Sequence, residues 1–372
     1  VIVTSLELRN FRNYEHATIT FSRGITVFIG GNGHGKTNIA EALGYLATTK
    51  SFRGVSNDAL VRTGCDNAIV RATIIHDDGR EFLVEAESPR AGRGRIQVNR
   101  KNLARTRDLL GVARVTVFSP DDLSIIKGSP SLRREWLDDA VVALNTSHAS
   151  IVADFERTLR QRNALLKDMG FRPSREEIAT LDAWDDAFVA AAGALADVRT
   201  RVLDGVRDAV TRAYDDLAGE PSNVDVSIES TWSDAGLADN VRRARDEDMR
   251  RGTTSVGPHR DDVVISVNGL PTRVAASQGE QRTMALALRL AVHRAVGAAH
   301  GSPPVLILDD VLSELDPDRS RALLAHVPDG QVIITTASPL PSDARWDDMW
   351  TVNDGTLTRV PAEASHAPGG AT

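Results

Sequence analysis

Residues Gly30-Gly31-Asn32-Gly33-His34-Gly35-Lys36-Thr37 carry the most specific chemistry in the chain. They match the pattern G-x-x-x-x-G-K-[ST] once. Glycines at these places let backbone N–H groups turn inward around phosphate oxygens. A lysine at Lys36 puts a flexible ammonium on the β- and γ-phosphates, and the Thr37 hydroxyl is a ligand for Mg²⁺. The flanks agree with this reading. Ile25–Ile29 is a short apolar, β-branched run typical of a buried strand. Asn38–Thr48 reads as a helix with Ile39, Ala42, Leu43 and Leu46 on one face. A helix opening behind the loop aims its positive end at the anion. Gly30 to Asn38 are therefore the expected contacts of ATP, with Lys36 the expected catalytic cation.

Val305-Leu306-Ile307-Leu308 followed by Asp309-Asp310 describes a central strand that delivers two acids to its C-terminal edge. In open α/β sheets ligands bind at that edge. Asp309 is the expected Mg²⁺ ligand beside Thr37, and Asp310 is placed to orient or deprotonate an attacking water. Ser277-Gln278-Gly279-Glu280 stands before a strong helical run, Thr283–Val296, with the spacing of a capping box. A helix N-terminus carrying a hydroxyl is also a suitable donor to a γ-phosphate. The capping and functional readings are compatible.

Charge and composition exclude some classes. The net charge is −7, which argues against a histone-like protein but leaves local patches open. Lysine occurs only at positions 36, 50, 101, 127 and 167; every other side-chain cation besides histidine is arginine. Arg90, Arg93, Arg95, Arg100, Lys101, Arg105 and Arg107 fall in a stretch free of acids from Ser88 to Arg107. That pattern suits phosphate tracking on DNA without base readout, or else a solvated hairpin. A second group, Arg242, Arg243, Arg245, Arg250 and Arg251, is interrupted by Asp246-Glu247-Asp248 and reads as an ordinary helix surface. Cys65 alone cannot form an internal bridge, so a reducing compartment is expected. No apolar run reaches the ~18 residues that span a membrane. The first residues lack the basic leader of a signal peptide. The expected location is the cytoplasm, away from any membrane.

The elements that must position these residues form three blocks. Strand patterns run from Val3 through Phe118, joined by the turn-like Asn10–Tyr14. From about residue 129, apolar residues recur at helical spacing, first from Leu132 to Leu166 and then from Ile178 to Tyr214, around the breaker Gly170-Phe171-Arg172-Pro173. This predicts an antiparallel helical hairpin with arms of roughly 40 residues, ~60 Å long. Strand patterns return from Asn223. The expected division is 1–128 and 223–361 as two parts of one α/β head, 129–222 as an inserted helical arm, and 362–372 as a disordered tail.

Together these residues resemble a known family. Ser277-Gln278-Gly279-Glu280 is similar to the signature motif of ABC-type ATPases. Asp309-Asp310 and Ser313-Glu314-Leu315-Asp316 are similar to their Walker B and D-loop. With Leu8–Tyr14 and Gly257-Pro258-His259-Arg260-Asp261-Asp262 added, the chain resembles the RecF family, in the SMC-like branch of that superfamily, from Val3 to about Val352. The resemblance implies an ABC-type P-loop ATPase head built from both chain ends. It implies an ATP-dependent homodimer in which Ser277 and Gly279 of one copy meet the γ-phosphate held by the other, so that Ser277 acts in trans. It further implies binding to duplex DNA and single-strand gap junctions, and loading of RecA with RecO and RecR as partners. Two departures bear on rate. ABC transporters place a glutamate where this chain has Asp310, and a histidine where it reads Thr335-Thr336-Ala337. Slow hydrolysis, suited to a switch, is the expectation. Asp122 is a candidate for the family's Mg²⁺-binding glutamine position. An SMC-like chromosome-organising ATPase and the ATPase subunit of a transporter are the alternatives.

Overall fold

The structure is a computed structural model that describes residues 1–103, 106–169, 173–232 and 236–361. The chain begins with strands β1 (Ile2–Phe11), β2 (Tyr14–Thr20) and β3 (Ile25–Ile29) and helix α1 (Lys36–Thr48). Strands β4 (Asn67–Ile75), β5 (Glu81–Pro89), β6 (Arg95–Val98), β7 (Lys101–Asn102) and β8 (Val115–Phe118) follow. Next come α2 (Leu123–Lys127), α3 (Pro130–Leu144), α4 (Ala149–Asp168), α5 (Arg175–Ala218), β9 (Val224–Glu229), α6 (Leu237–Arg251), β10 (Asp262–Val267), β11 (Leu270–Pro271) and α7 (Thr272–Ala275). The last part holds α8 (Gln278–His300), β12 (Val305–Asp309), α9 (Pro317–Ala325), β13 (Val332–Thr336), β14 (Asp348–Asn353) and β15 (Thr356–Arg359).

These elements form two compact units. The first, here the head, comprises Val1–Leu123, Arg212–Pro221 and the chain from Ser277 onward; the second comprises Ser124–Thr211 and Ser222–Ala276. This differs from the expected boundaries. Residues 222–276 belong with the helices, because β9, β10 and β11 form their own three-stranded antiparallel sheet there. The expected first arm also differs: Asn145 ends α3 and its side chain caps a short 3₁₀ turn before α4. Two helices of 15 and 20 residues therefore stand where one was expected, while α5 is a single helix of 44. An Asx turn competes with helical backbone bonding, which the apolar spacing alone does not reveal. The breaker at 170–172 and the tail 362–372 lie outside the described residues.

The head is built on two six-stranded sheets. One has the order β15-β14-β3-β13-β12-β8, parallel from β14 through β8 with β15 as an antiparallel edge. Parallel strands covered on both faces read as unbroken apolar runs. Every residue of β12 and β13 is buried. The other sheet, β2-β1-β4-β5-β6-β7, is antiparallel. Its β1 and β4 alternate buried and partly exposed residues, as one covered face requires. Helix α1 contributes Ile39, Ala40, Leu43 and Leu46 to a core that both sheets share. The β1–β2 turn is tight. Phe11 pairs with Tyr14, and Arg12 stands between them at φ 54°, in the left-handed region. Its side chain secures that geometry: Nε and Nη2 donate to the fully buried Glu41 on α1 at 2.7 and 2.6 Å, and Nη1 donates to the Ala59 carbonyl. A bidentate, charge-assisted pair of this kind offsets the strain of a non-glycine residue at positive φ.

The second unit carries its own buried ion network. Arg162 is fully buried, with Nε on Asp185 at 2.8 Å and Nη1 on Asp248 at 2.8 Å and Thr254 at 2.7 Å. Arg133 pairs with Asp262 and Arg199 with Asp138. His259 lies beside Phe155 and Phe188, and burial lowers its pKa to about 4.

Candidate nucleotide site

Strand order brings the site together. β13 lies between β3 and β12, so the loop leaving β3, the acids ending β12 and the threonines ending β13 share one sheet edge. The Gly30 N–H bonds to the Thr336 carbonyl across that edge. Gly33 and Gly35 have φ of 82° and 112°, which only glycine adopts without strain. A Cβ on Gly35 would lie 2.6 Å from Asn13 and 2.9 Å from the Tyr14 hydroxyl. Those two residues hold the loop from outside. Asn13 Nδ2 donates to the His34 carbonyl, the Tyr14 hydroxyl donates to the Gly35 carbonyl, and Asn38 donates to Asn13 Oδ1. The β1–β2 turn is thus a brace for the phosphate loop. This role of Asn13 and Tyr14 depends on long-range packing and was not visible in their spacing.

Lys36 is buried, and its ammonium donates to the Gly30 and Gly31 carbonyls at 2.9 and 2.8 Å. Burial lowers its pKa, opposed by the carboxylates of Asp310 and Asp309. The flexible cation sits folded onto the loop it serves. Asp309 is buried; Thr335 Oγ1 donates to its Oδ1 at 2.6 Å, and Thr335 and Thr37 both favour its charged form against burial. Thr37 and Asp309, expected together from the motifs, therefore meet. Asp310 has φ 50°, and its N–H bonds to the Thr335 carbonyl. Its Oδ1 accepts from Ser313 Oγ at 2.6 Å and from the Ala337 N–H at 3.3 Å. Thr335, Ser313 and Ala337 were not picked out as site residues by sequence reasoning. Thr335 and Ala337 reach the acids because β13 is the neighbour of β12, whereas Ser313 lies on the turn three residues beyond Asp310.

Asp122 does not fit the role suggested for it. Its Oδ2 accepts the Ser119 N–H and its Oδ1 accepts both Nε and Nη2 of Arg289, so the carboxylate is spent on capping a turn and an ion pair. Ser277 is the N-cap of α8, exposed at the surface. Its hydroxyl accepts from the Glu280 N–H, and its own N–H donates to the Glu280 carboxylate, forming the capping box. Gln278 is likewise exposed, and Gly279 is half-buried.

The residues fit a magnesium–nucleotide group. The loop has glycines at positive φ and a lysine already bonded to oxygens. The Thr37–Asp309 pair supplies hard oxygen donors for a cation that takes most of its remaining ligands from phosphate and water. Among the described residues there is no cluster of three or more His, Cys, Asp or Glu that would bind a metal by itself.

The burial of Asp309 yields a test. Burial is the largest influence on its carboxyl and raises its pKa. A carboxyl with a raised folded pKa adds stability below its unfolded pKa and loses it as pH rises through the folded value. At neutral pH the charge therefore destabilises the nucleotide-free head. Asp309→Asn is expected to stabilise that form at pH 7 by on the order of 1 kcal/mol, with the gain vanishing toward pH 3, while Mg²⁺-dependent hydrolysis falls by at least roughly 100-fold. Thermal unfolding across pH and phosphate release measure the two effects.

Comparison with known proteins agrees with this geometry. Residues 2–344 match the family described as the RecF/RecN/SMC N terminal domain. A Streptomyces avermitilis protein named DNA replication and repair protein RecF is 37% identical, over 96% of this chain and 100% of its own length. A Frankia alni protein of the same name is 38% identical over 90% of this chain and 93% of its own. The chain belongs to the RecF family of DNA replication and repair proteins. The fold agrees. A solved structure described as the recombination mediator protein RecF-ATP in the RecFOR pathway superposes with a TM-score of 0.86 at 29% identity, covering 96% of this chain and 97% of that one. An Smc head domain from Pyrococcus furiosus reaches only 0.59 at 17% identity and shares the fold alone. The RecF assignment is thus favoured over the chromosome-organising alternative.

Within this RecF-family chain the arginine stretch is only partly available for DNA. Arg90 donates to the carbonyls of Cys65 and Arg62, and Arg95 pairs with Glu87 on the neighbouring strand. Sequence proximity did not show that pairing because Glu87 faces Arg95 through the β5–β6 register. Arg93, Arg100 and Lys101 are exposed on or beside the β6–β7 hairpin. Arg105 lies outside the described residues, as does the side chain of Arg107. In the second group, Arg242, Arg250 and Arg251 pair with Asp239 or Glu247 on their own helix, as an ordinary solvated surface does. Among the described residues no helix is long and apolar enough to cross a membrane.

Proposed function

We propose that this protein is an ATP-dependent DNA-binding switch that closes as a homodimer around two nucleotides and opens on slow hydrolysis. The observation that carries the reading is the division of the site. The phosphate loop, Thr37, Asp309 and Asp310 converge on one sheet edge, while Ser277 stands exposed on the first turn of another helix. Lys36 exchanges the Gly30 and Gly31 carbonyls for β- and γ-phosphate oxygens. Thr37 and Asp309 would hold Mg²⁺, which would supply neutralising charge for the phosphates. Asp310, fixed through Oδ1 by Ser313 and Ala337, orients the water. Ser277 and the first N–H groups of α8 reach the γ-phosphate of the second copy. ATP favours the closed dimer because only there does it touch both surfaces. The shorter Asp310 and a threonine in place of histidine suit low turnover. Arg93, Arg100 and Lys101 supply phosphate contacts to duplex or gapped DNA. The RecFOR pathway named for the solved relative supports RecO and RecR as partners, and the proposal adds RecA loading at gaps in the cytoplasm.

Sedimentation velocity in ATP, ADP and no nucleotide, with and without gapped duplex, tests this reading. A dimer that forms in ATP and dissociates in ADP is expected. A species of unchanged size in all three conditions refutes it.

A further inference from the structure

Gly279 of the signature motif lies against an arginine of its own chain. A Cβ built on Gly279 would stand 2.0 Å from Arg319 Nη1 and 3.2 Å from its Cζ. Arg319 is on the first turn of α9. Its backbone N–H bonds to the N-cap Asp316 at 2.9 Å, and its guanidinium lies 3.4 Å from the same carboxylate. The guanidinium also acts electrostatically on Glu280, the other half of the Ser277 capping box. A second tie joins the same elements: Arg282 of α8 pairs with the Glu314 carboxylate and donates to its carbonyl at 3.0 Å. The start of α8 is thus tied to Glu314 through Arg282, and the Arg319 guanidinium lies against its first turn.

We propose that Arg319 is a positioning residue for the signature motif, its guanidinium lying against Gly279. Arg319 sets the direction in which Ser277 and the free N–H groups of α8 point. Asp316, which holds the guanidinium, and the separate Arg282–Glu314 pair link that direction to the segment leaving Asp310. This rests on the reading above, in which Ser277 meets the nucleotide of a second copy. The alternative is that Gly279 exists to let phosphate approach the backbone.

A double-mutant cycle separates the two. Four proteins are compared: wild type, Gly279→Ala, Arg319→Ala and the double variant. The ATP-dependent dimerisation constant, the affinity of the monomer for a fluorescent ATP analogue and the melting temperature are measured for each. Arg319→Ala is expected to weaken dimerisation about tenfold, with monomer affinity and melting temperature nearly unchanged. Gly279→Ala weakens dimerisation in the wild-type background but adds no further loss once Arg319 is removed. Arg319→Lys, which keeps the charge without the planar fork, recovers part of the loss. An equal penalty for Gly279→Ala in both backgrounds overturns the proposal, as does a loss confined to melting temperature. Absence of ATP-dependent dimers in the wild type would instead refute the dimer reading.

Discussion

Lys36→Ala should abolish tight ATP binding and lower phosphate release by roughly 100- to 1000-fold, the loss expected when a positioned charge donor leaves a phosphoryl-transfer site. The structure predicts that this loss is chemical and not a failure to fold. The ammonium touches only loop carbonyls in the absence of nucleotide, and the loop is held by other means: glycine torsions, Asn13 and Tyr14. Burial already weakens its proton affinity against the pull of Asp309 and Asp310, so deleting it removes a partly desolvated charge. The expected result is a melting temperature close to wild type beside a near-complete loss of nucleotide binding. Equilibrium binding of a fluorescent ATP analogue and a phosphate-release assay check it. Wild-type turnover in Lys36→Ala would remove the loop from the chemistry.

The second large effect is on stability and lies in the other unit. Arg162→Met should destabilise the protein by about 3–5 kcal/mol. The side chain is fully buried, and its removal leaves Asp248 as a buried carboxylate without its cation and Asp185 with only Arg245, at 3.6 Å. Ser255 donates both its N–H and its hydroxyl to Asp248 Oδ1, at 2.9 and 2.6 Å, and these bonds do not neutralise the charge. The guanidinium also stacks over Phe188, its Cζ 5.6 Å from the ring centre, and methionine recovers only part of that packing. Replacing Asp185 by leucine together with Arg162→Met should regain part of the loss, because the deficit comes from an unpaired charge. Urea unfolding followed by tryptophan fluorescence reports on this unit through Trp136, Trp184 and Trp232. An unchanged urea midpoint for Arg162→Met would contradict the account. By contrast, loss of the exposed Arg242–Asp239 pair should have little consequence.

How much of this was legible in the sequence depends on the range of the interactions. The phosphate loop was fully legible because its glycines, lysine and threonine are contiguous and flanked by a strand and a helix. Asp309 and Asp310 were legible as the end of an apolar run. Their partners were not: Thr335 reaches Asp309 because β13 inserts between β3 and β12, and strand order is a property of the whole sheet. The brace of Asn13 and Tyr14 on the loop spans the two sheets of the head. The capping box at Ser277 was visible from a spacing of three, but the arginine that fills the place beside Gly279 lies forty residues on. The helical region divides otherwise than its apolar spacing suggests. Apolar periodicity continued through Asn145, where a side-chain cap ends the helix, and β9–β11 attached to the helices instead of to the head. Seven cations in one stretch suggested a DNA contact, and register then neutralised Arg95 and tied Arg90 to backbone carbonyls.

The central claim is that each ATP is shared between two chains. It is tested most directly by mixing two inactive variants, Lys36→Ala and Ser277→Arg. A mixed dimer contains one site with an intact loop from the Ser277→Arg copy and an intact serine from the Lys36→Ala copy. The account predicts that the mixture hydrolyses ATP although neither variant does so alone, with an optimum at equal amounts. A mixture as inactive as its components, in solutions where mixed dimers are shown to form, would mean that loop and serine serve the same chain's nucleotide and would contradict the account.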